Sequence, residues 1–497
     1  MIYTKSIDQL LFDCASSHPD RIAIKTEKQE ISYKLLLDLT LCFAAHLKKE
    51  GVARSSCVAI DTKDKILAVI GAFACAVQGA RWLEASNSAL SNKYLGITHL
   101  IHDGRRQYAK GRNIIRVHPG WFKWPADGPS LEDMNFPGLL SAQDTWMIAH
   151  SSGTTGMPKY MAVSSENFWK KTQEPYFDGV DGVVTAGYLF PSLSWLAMTV
   201  SVRVFFTGGT IVVGNDYNVL VSCGVKHVTG SPTHFQNLIR GVDEPSSPLI
   251  GNALIGGGPA SKGFLDTMLR YFGVVDYAYG STEASVICTN RNVNGSRSRS
   301  VSVGRPWPGC AIEVVDENGD KLPPLAEGEI RVSSPSIVPG YINDIESTNM
   351  AFKGAWFYPG DIGYLSENGD LTVVGRSNDQ LNIGGAKVNA VVVEAALTQH
   401  NDVVDAACFS LVDENEQAML AAVIKVEDGV GRETLLKELG EAVSVSVQYN
   451  RSKIPKRIYF VDDVPRNENG KIVRYKIADF VREIDYVCLS LPERGGS

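Results

Sequence analysis

Strand-like and helical patterns alternate along most of this sequence, and the alternation limits the choice of fold. Near the N-terminus, residues 57–60 have the pattern of a strand, residues 65–78 that of a helix, and residues 98–102 that of a strand again. Such alternation favours a largely parallel sheet covered by helices on both faces. The sequence therefore predicts an α/β fold, and its 497 residues are enough for about three domain-sized units.

Two changes of pattern divide the chain. Between about residues 300 and 375, short strand-like runs separated by Pro, Gly and Asn turns predict a hairpin-rich β subdomain. The polar stretch 377–379 is typical of a hinge, and strands and helices alternate again beyond it. We therefore predict a large N-terminal domain, residues 1–376, of mixed parallel sheets, helices and the hairpin-rich subdomain. Residues 377–497 are predicted to form a small α+β C-terminal domain.

Three stretches carry local predictions. The apolar run 66–77 is shorter than the roughly twenty residues that a membrane helix needs, so we predict a buried helix and no membrane span. Residues 200–206 are predicted to form a strand. Residues 103–143 contain many polar, Gly and Pro residues without a clear period, and we predict an irregular connection there.

The composition indicates a reduced protein that does not bind nucleic acid. Lys and Arg total 48 against 55 Asp and Glu, a formal net charge of -7, and the basic residues are dispersed along the chain. The nine cysteines form no Cys-x-x-Cys pair, which favours free thiols over a zinc site or a disulfide framework. Asp8, Asp13 and Asp20 interrupt the start of the chain, so we predict no export signal and a cytoplasmic location.

The stretch 151–159 reads Ser-Ser-Gly-Thr-Thr-Gly-Met-Pro-Lys. Its hydroxyls, the backbone near Gly153 and Gly156, and the ammonium of Lys159 can present several donors to one polyphosphate. The spacing differs from the Walker pattern, in which four residues separate the glycines and Lys-Ser/Thr follows directly. The residues therefore predict a phosphate-binding loop of another kind, and a flexible surface loop is the alternative.

A second candidate motif, Tyr279-Gly280-Ser281-Thr282-Glu283, follows a predicted strand. Ligands bind beside strand ends in open α/β sheets. Tyr279 offers a flat face for a purine, Thr282 a hydroxyl for phosphate, and Glu283 an oxygen ligand for Mg²⁺. A plain turn after the strand is the alternative.

Three further motifs lie towards the C-terminus. Each alone is also compatible with an ordinary turn, linker or solvated basic loop. They are Tyr358-Pro359-Gly360-Asp361, then Gly375-Arg376 with the paired Gly384-Gly385, and finally residues 465–474, which carry Lys471 at a glycine turn.

The set and order of these motifs resemble the acyl-adenylate-forming superfamily, which comprises acyl- and aryl-CoA ligases, peptide-synthetase adenylation domains and luciferases. The matching motifs run from about residue 151 to 474, and weaker similarities occur at 18–24 and 32–33. Five motifs in one order are far more specific than any single one. The resemblance is closest to the acyl- and aryl-CoA ligases, and it implies ATP, Mg²⁺ and CoA as cofactors.

The resemblance also implies roles for individual residues. Thr155, Glu283 and Lys471 are the implied catalytic residues, and Lys471 would bridge the substrate carboxylate and the α-phosphate from a mobile C-terminal domain. The implied ATP-binding residues are Ser151, Ser152, Thr154, Thr155 and Lys159 for the phosphates, Gly257, Gly258 and Tyr279 for adenine, Thr282 and Glu283 for phosphate and Mg²⁺, and Asp361 and Arg376 for the ribose.

These roles suit the implied reaction. An anionic carboxylate must attack the α-phosphorus of a highly charged nucleotide, so cations are needed where the charges meet. Mg²⁺ and Lys471 are the candidates. Attack releases pyrophosphate and leaves an acyl-adenylate, and closure of a small domain would protect this anhydride from water.

Two positions depart from the family's pattern. Ser194 stands where ligases that use CoA carry a gating histidine, and Asn378 stands where the hinge usually carries Asp or Lys. The run 191–195 also lacks the aspartate with which amino-acid-activating relatives hold the substrate ammonium. We therefore predict a carboxylic acid without an α-amino group, either aryl or fatty acyl.

The predicted acid pocket includes Ser194, Trp195 and Gly256. The triple glycine 256–258 leaves space beside the reacting carboxylate, and Trp195 is either a pocket wall or a core residue. Gly384 and Gly385 are predicted to flank the passage of a pantetheine thiol.

The sequence is compatible with more than one acyl acceptor and with a protein that has no catalytic activity. The first acceptor is CoA, the second is the phosphopantetheine of a carrier protein that acts in trans, and the third is an amine. A different class of protein, a relative that binds nucleotide or acyl ligand without catalysis, is the alternative to an enzyme.

Overall fold

The computed structural model describes residues 5–108, 113–123, 135–151, 158–172, 184–291, 301–376, 380–383, 386–400, 402–412, 417–427, 429–447, 453–466 and 472–489. The chain divides into two compact units. The first contains residues 1–312 and 332–357, and the second contains residues 313–331 and 358–497. The predicted hinge, 377–379, lies outside the described residues, so the predicted domain boundary there stays a prediction.

Besides two short 3-10 helices, Lys93–Leu95 and Pro119–Phe122, the described residues contain thirteen α-helices. In chain order they are α1 (Asp8–Ser17), α2 (Tyr33–Lys49), α3 (Lys65–Val77), α4 (Asn87–Ser91), α5 (Ser165–Thr172), α6 (Trp195–Phe206), α7 (Tyr217–Ser222), α8 (Pro232–Ile239), α9 (Lys262–Tyr271), α10 (Ile345–Ala351), α11 (Ala390–Thr398), α12 (Arg432–Ser446) and α13 (Arg474–Phe480).

The strands of the described residues are numbered in the same way. The first fifteen are β1 (Ile22–Lys25), β2 (Glu30–Ser32), β3 (Cys57–Asp61), β4 (Arg81–Glu84), β5 (His99–His102), β6 (Asn113–Arg116), β7 (Thr145–Ser151), β8 (Lys159–Ser164), β9 (Thr185–Tyr188), β10 (Thr210–Val212), β11 (His227–Gly230), β12 (Ile250–Gly256), β13 (Phe272–Ser281), β14 (Ser285–Asn290) and β15 (Arg305–Pro306). The rest are β16 (Ala311–Val315), β17 (Gly328–Ser333), β18 (Phe352–Lys353), β19 (Trp356–Phe357), β20 (Asp361–Leu365), β21 (Leu371–Arg376), β22 (Gln380–Ile383), β23 (Ala386–Asn389), β24 (Val403–Val412), β25 (Ala418–Val426), β26 (Arg457–Phe460) and β27 (Tyr486–Val487).

Two mixed sheets lie in the first unit. The larger has nine strands in the order β15-β14-β13-β12-β11-β9-β10-β1-β2, and its middle strands from β13 to β1 are parallel. The smaller has the order β6-β5-β3-β4-β7-β8 and is parallel except at β8. The predicted α/β class is therefore confirmed.

Helix α3 lies in the core of the first unit, as its apolar run predicts. Ala72, Phe73 and Ala74 in this helix are fully buried. The helix packs on Trp146 of β7, whose indole Nε1 donates a hydrogen bond to the Ala72 carbonyl at 2.9 Å. No helix in the described parts of the chain has the length and apolarity required to cross a bilayer.

Two local predictions are wrong. Residues 200–206 belong to helix α6 rather than to a strand. The Ser194 hydroxyl begins this helix by accepting a hydrogen bond from the Ala197 N–H at 3.3 Å, and the following residues are buried on nearly every side. A helix that is apolar all round lacks the alternation of polar and apolar faces that periodicity detects. Residues 103–143 also contain strand β6, which pairs in parallel with β5.

The second unit contains an antiparallel sheet and a small α+β assembly. Strands β20 and β21 pair in antiparallel fashion, and β17 pairs with both β16 and β20. The four-stranded sheet β24-β25-β26-β27 packs against α11 and α12 through a core of Val, Leu, Ile and Ala side chains. This architecture agrees with the hairpin-rich and α+β predictions for these parts of the chain.

Candidate active site

The phosphate-loop motif joins two antiparallel strands. Ser151 is the last residue of β7, Lys159 is the first residue of β8, and their Cα atoms are paired in the ladder. Both residues are half-buried. The predicted phosphate ligands Ser152, Thr154 and Thr155 lie outside the described residues. The strands therefore fix the two ends of the loop at one point of the smaller sheet.

Tyr341 connects Lys159 with the predicted magnesium ligand. The Lys159 ammonium lies 5.0 Å from the centroid of the Tyr341 ring. The Tyr341 hydroxyl donates a hydrogen bond to Glu283 Oε1 at 3.0 Å. A cation over an aromatic face and a hydrogen bond to a carboxylate both orient the groups that make them. Two predicted ATP-binding residues, 124 positions apart in the sequence (159 to 283), are thus brought to one aromatic side chain.

Glu283 is held in a buried turn. Its side chain is 6% exposed, and its carbonyl accepts a hydrogen bond from the Val338 N–H at 2.9 Å. Two residues later, the backbone of Ser285 is left-handed, with a φ of 66°. With Oε1 bonded to Tyr341, Glu283 presents one carboxylate in a fixed orientation. A single carboxylate together with nucleotide phosphates is a common way for proteins to hold Mg²⁺.

The triple glycine lies at the carboxyl end of β12. Gly257 has a φ of 80°, which an L side chain rarely adopts, and a Cβ on Gly256 would lie 3.1 Å from the Ala278 carbonyl oxygen. The hydroxyl of Tyr277 fixes this segment by donating to the Gly258 carbonyl at 3.2 Å and accepting from the Ala260 N–H at 3.1 Å. Burial raises the pKa of Tyr277 to about 12, so the hydroxyl keeps its proton.

The predicted adenine residue Tyr279 lies on β13, beside β12. It is half-buried, and Thr282 follows the end of the same strand. Between Tyr279 and Gly280 the pairing register with β14 shifts by one residue. A Cβ on Gly280 would lie 2.2 Å from the Ser285 carbonyl oxygen, so this turn requires glycine.

Two predicted acid-pocket residues, Ser194 and Trp195, begin helix α6. The Ser194 hydroxyl is engaged as the helix cap. Trp195 is 5% exposed and packs edge-on against Phe168, with ring centroids 4.5 Å apart. Of the two alternatives for Trp195, the structure therefore supports packing in the core, and the role in a pocket stays a prediction.

The predicted ribose ligands in the second unit form an ion pair. Asp361 opens β20 and Arg376 closes β21, so the two residues face each other in the antiparallel ladder. Arg376 Nε lies 3.2 Å from Asp361 Oδ1, and Asp361 is 5% exposed. The guanidinium therefore holds the carboxylate in one orientation, as recognition of a diol requires.

The segment that carries Lys471 is anchored on both sides. Lys471, Gly384 and Gly385 lie outside the described residues. Before the gap, Arg466 donates to both carboxylate oxygens of Asp405, at 2.9 and 2.6 Å. After the gap, Arg474 pairs with both oxygens of Glu394 and donates to the Cys408 carbonyl at 2.8 Å. An antiparallel bridge between residues 466 and 472 closes the segment.

Sequence reasoning missed two residues that organise the site, Tyr341 and Tyr277. Tyr277 precedes Tyr279 by two positions in the predicted strand. Strand periodicity places both side chains on the same face, so the sequence contains a signal for Tyr277. Tyr341 follows Pro339-Gly340, a turn signal without any indication of its distant partners.

Comparison with known families decides the relationship. The family model of the AMP-binding enzyme matches residues 11–92 and 99–342, more than half of the chain. This chain belongs to the AMP-binding enzyme family. The model of the C-terminal domain of AMP-binding enzymes matches residues 392–471. The predicted superfamily is therefore confirmed.

Relatives of this AMP-binding enzyme cover almost its whole length. A 2-succinylbenzoate–CoA ligase of Bacillus mycoides (strain KBAB4) is 27% identical over 490 residues, which are 94% of this chain and 97% of the relative. A 2-succinylbenzoate–CoA ligase of Geobacillus sp. (strain WCH70) is 26% identical over 500 residues, 96% of this chain and 98% of the relative. These names agree with the prediction of an acid–thiol ligase.

Solved structures share the fold of this AMP-binding enzyme. O-succinylbenzoate coenzyme A synthetase (MenE) from Bacillus subtilis, in complex with AMP, superposes with a TM-score of 0.83 at 23% identity, covering 96% of this chain and 98% of that one. ATP-bound MatB from Rhodopseudomonas palustris gives 0.79 at 21% identity, covering 97% and 99%. At these identities the comparison confirms the fold.

Proposed function

We propose that this enzyme uses ATP and Mg²⁺ to convert a carboxylic acid without an α-amino group to an acyl-adenylate, and then transfers the acyl group to the thiol of CoA. The observation that carries the proposal is the junction at Tyr341, which brings the phosphate-loop lysine Lys159 and the carboxylate of Glu283 together. A cation for phosphate oxygens beside a carboxylate for a metal ion is the pairing that nucleotide activation requires.

In the proposed reaction the chain's own residues bind and orient ATP. Lys159 neutralises phosphate charge, and Thr282 donates a hydroxyl to it. Glu283 would hold Mg²⁺, which lowers the repulsion between the attacking carboxylate and the phosphates. The ion pair of Asp361 with Arg376 positions the ribose hydroxyls.

Lys471 supplies the positive charge at the α-phosphate. The arginines that flank its segment anchor that segment to Asp405 and Glu394 of the second unit. We propose that residues 377–497 act as a mobile domain, so that Lys471 reaches ATP in one conformation and Gly384 and Gly385 line the path of the CoA thiol in another. Thr155 completes the proposed phosphate contacts.

The names of the relatives guide the choice of acid. Because several are 2-succinylbenzoate–CoA ligases, we propose an aryl acid of this kind as the first substrate to test. CoA is the proposed acceptor, and a carrier protein in trans is the next. The amide bond synthetase McbA from Marinactinospora thermotolerans shares the fold at a TM-score of 0.77 and 21% identity, covering 95% of this chain and 99% of that one, so amines belong in the acceptor panel. We propose a cytoplasmic location, consistent with the eight buried or half-buried free cysteines.

The test is acid-dependent exchange of pyrophosphate into ATP, followed by mass analysis of products formed with CoA. The parent enzyme should catalyse exchange with at least one acid and form its acyl-CoA. Lys471→Ala should lose exchange by about a thousandfold or more, because a charge at the transition state is removed. The proposal fails if no acid in a broad panel supports exchange while ligands still shift the melting temperature, since that result indicates a binding protein without catalysis.

A further inference from the structure

The ammonium of Lys65 lies at the carboxyl end of strand β9 in the larger sheet. Lys65 is the first residue of α3 and is half-buried. Its Nζ donates to the Tyr188 carbonyl at 3.0 Å and to Asn215 Oδ1 at 2.9 Å, and it lies 4.9 Å from the centroid of the Tyr188 ring. Burial lowers the pKa of Lys65 to about 8, so the ammonium predominates at neutral pH.

Within the described parts of the chain, the hydrogen-bond partners of Lys65 are neutral oxygens. No carboxylate in the described parts of the chain pairs with this ammonium, and burial is the cause of its lowered pKa. A cation that is partly removed from water and bonded only to neutral oxygens is destabilised relative to an exposed one. A neutral amide could donate to the same two oxygens with a smaller loss of hydration free energy. The positive charge at this position therefore requires another explanation.

His234 lies close enough to Lys65 to be influenced by its charge. Burial and, secondarily, the positive charge of Lys65 lower the pKa of His234. The Nδ1 atom of His234 accepts a hydrogen bond from the Ser231 N–H at 3.3 Å, so the neutral ring carries its proton on Nε2. The ring also packs edge-on against Phe190, with centroids 5.2 Å apart. His234 therefore offers a second N–H donor within the range over which the charge of Lys65 acts.

Lys65 and His234 lie near the carboxyl ends of the parallel strands, on the same side of the sheet as the triple glycine. Tyr188 ends β9 and Ser231 follows β11, while Gly256 ends β12, and these three parallel strands are neighbours. A Cβ on Gly258 would lie 3.6 Å from Cδ of Pro232, so the glycine segment approaches the start of α8. Two strand spacings, about 10 Å, separate β12 from β9. An acid that reacts beside the glycines can extend along these strand ends towards Lys65.

We propose that Lys65 and His234 bind a second carboxylate of the acid substrate, so that the enzyme prefers dicarboxylic acids. This inference rests on the proposed function. A carboxylate bound here would give Lys65 the counter-ion that the described parts of the chain do not provide, and it would accept a hydrogen bond from the Nε2–H of His234. A diacid whose carboxylates lie up to about 10 Å apart would fit between the two strand ends.

The experiment measures pyrophosphate exchange without CoA, using matched pairs of acids. The aryl pair is 2-succinylbenzoate and 3-benzoylpropionate, which lacks the ring carboxylate, and the aliphatic pair is octanedioate and octanoate. The variants are Lys65→Gln, which keeps a donor but loses the charge, Lys65→Arg, which keeps the charge, and the control Lys63→Gln at an exposed position two residues earlier.

The readout is the ratio of KM values for the monoacid and the diacid. The parent enzyme should favour the diacid by about tenfold or more, as expected for a charge-assisted hydrogen bond. Lys65→Gln should abolish most of this preference, Lys65→Arg should keep part of it, and Lys63→Gln should keep all of it. His234→Asn, a second route to the same loss, should lower the preference to a smaller extent.

The outcomes separate the two proposals. If no acid supports exchange, the proposed function fails. If acids are activated but the parent enzyme shows no preference for the diacid in either pair, this inference is overturned while the function stands, even if Lys65→Gln does not fold. A preference that survives in Lys65→Gln also overturns it. Because CoA is absent, a change in the ratio cannot arise from a phosphate group of CoA.

Discussion

Arg474 pairs with both carboxylate oxygens of Glu394, and the two residues lie 80 positions apart in the sequence. Glu394 is 7% exposed and also accepts a hydrogen bond from the Cys408 N–H at 2.6 Å. The pair therefore joins helix α11, strand β24 and the first residue of α13. Because Arg474 follows the proposed catalytic Lys471 by three residues, the pair also fixes one end of the catalytic segment.

Replacing Glu394 with Ala should destabilise the second unit by about 3–5 kcal/mol, because Arg474 is left without its buried counter-ion. Urea denaturation monitored by circular dichroism measures the loss. Asp463→Ala is the matched control. Asp463 pairs with Lys425 but is exposed to solvent, so its loss should lower stability by less than about 1 kcal/mol. Equal effects of the two substitutions would contradict the structural role of the pair.

Tyr341→Phe should weaken the enzyme's use of Mg²⁺, because the ring remains over Lys159 while the hydrogen bond to Glu283 is lost. A hydrogen bond to a charged group contributes about 1.5–3 kcal/mol, so we expect pyrophosphate exchange to fall about 10- to 100-fold at low Mg²⁺. Titration of Mg²⁺ in the exchange assay tests this. Tyr94→Phe, at an exposed tyrosine, is the control, and identical Mg²⁺ curves for Tyr341→Phe and the parent would show that the hydrogen bond does not orient Glu283.

Gly280→Ala should destabilise the first unit by about 1–3 kcal/mol, because its Cβ would lie 2.2 Å from the Ser285 carbonyl oxygen. Gly263→Ala should have the opposite sign. Nothing lies within 4 Å of a Cβ at Gly263 in helix α9, and alanine favours a helix over glycine by about 1 kcal/mol. Thermal denaturation of both variants gives the comparison, and a Gly280→Ala protein as stable as Gly263→Ala would refute the close contact.

Stability should decrease as the pH falls below about 6.5, partly through His227. Burial lowers the pKa of His227, so the unfolded chain binds a proton at a higher pH than the folded protein does. Above the unfolded pKa both states are neutral, and between the two pKa values the proton stabilises the unfolded state by up to about 1.4 kcal/mol per pH unit.

Urea denaturation at pH 7.5, 6.5 and 5.5 measures this dependence on pH. His227→Gln should show a shallower decrease, and an unchanged slope would exclude His227 as a contributor. His18→Gln, at an exposed histidine, is the control.

Much of the fold could be predicted because its signals are local. The helix predicted for residues 65–78 is one example, because its apolar run is enough to indicate a buried helix, α3. The strand prediction for 200–206 failed because burial on all sides removes the polar face on which periodicity depends. Strand β9 was missed for a related reason, since three of its four residues are buried within a parallel sheet and show no alternation.

The sequence predicts which residues belong to the site, but it does not predict most of the contacts between them. Motif order placed Lys159, Glu283, Asp361 and Arg376 in one family, and the structure pairs the last two across a β ladder. The role of Tyr341 depends on contacts with residues 182 and 58 positions away, which no local pattern encodes. Lys65 was missed because a lysine at the start of a helix is ordinary, and only the neutral surroundings in the fold distinguish it.

The strand order of the larger sheet has a consequence for synthesis on the ribosome. The hairpin of β1 and β2 is made first, yet Ile24 of β1 pairs with Ile211 of β10, and β10 is made only after the whole smaller sheet. Two-stranded hairpins are marginally stable alone, and pairing across long loops is slow. The nascent chain therefore keeps an unpaired apolar edge exposed until β10 emerges, which is the interval in which a chaperone would bind it.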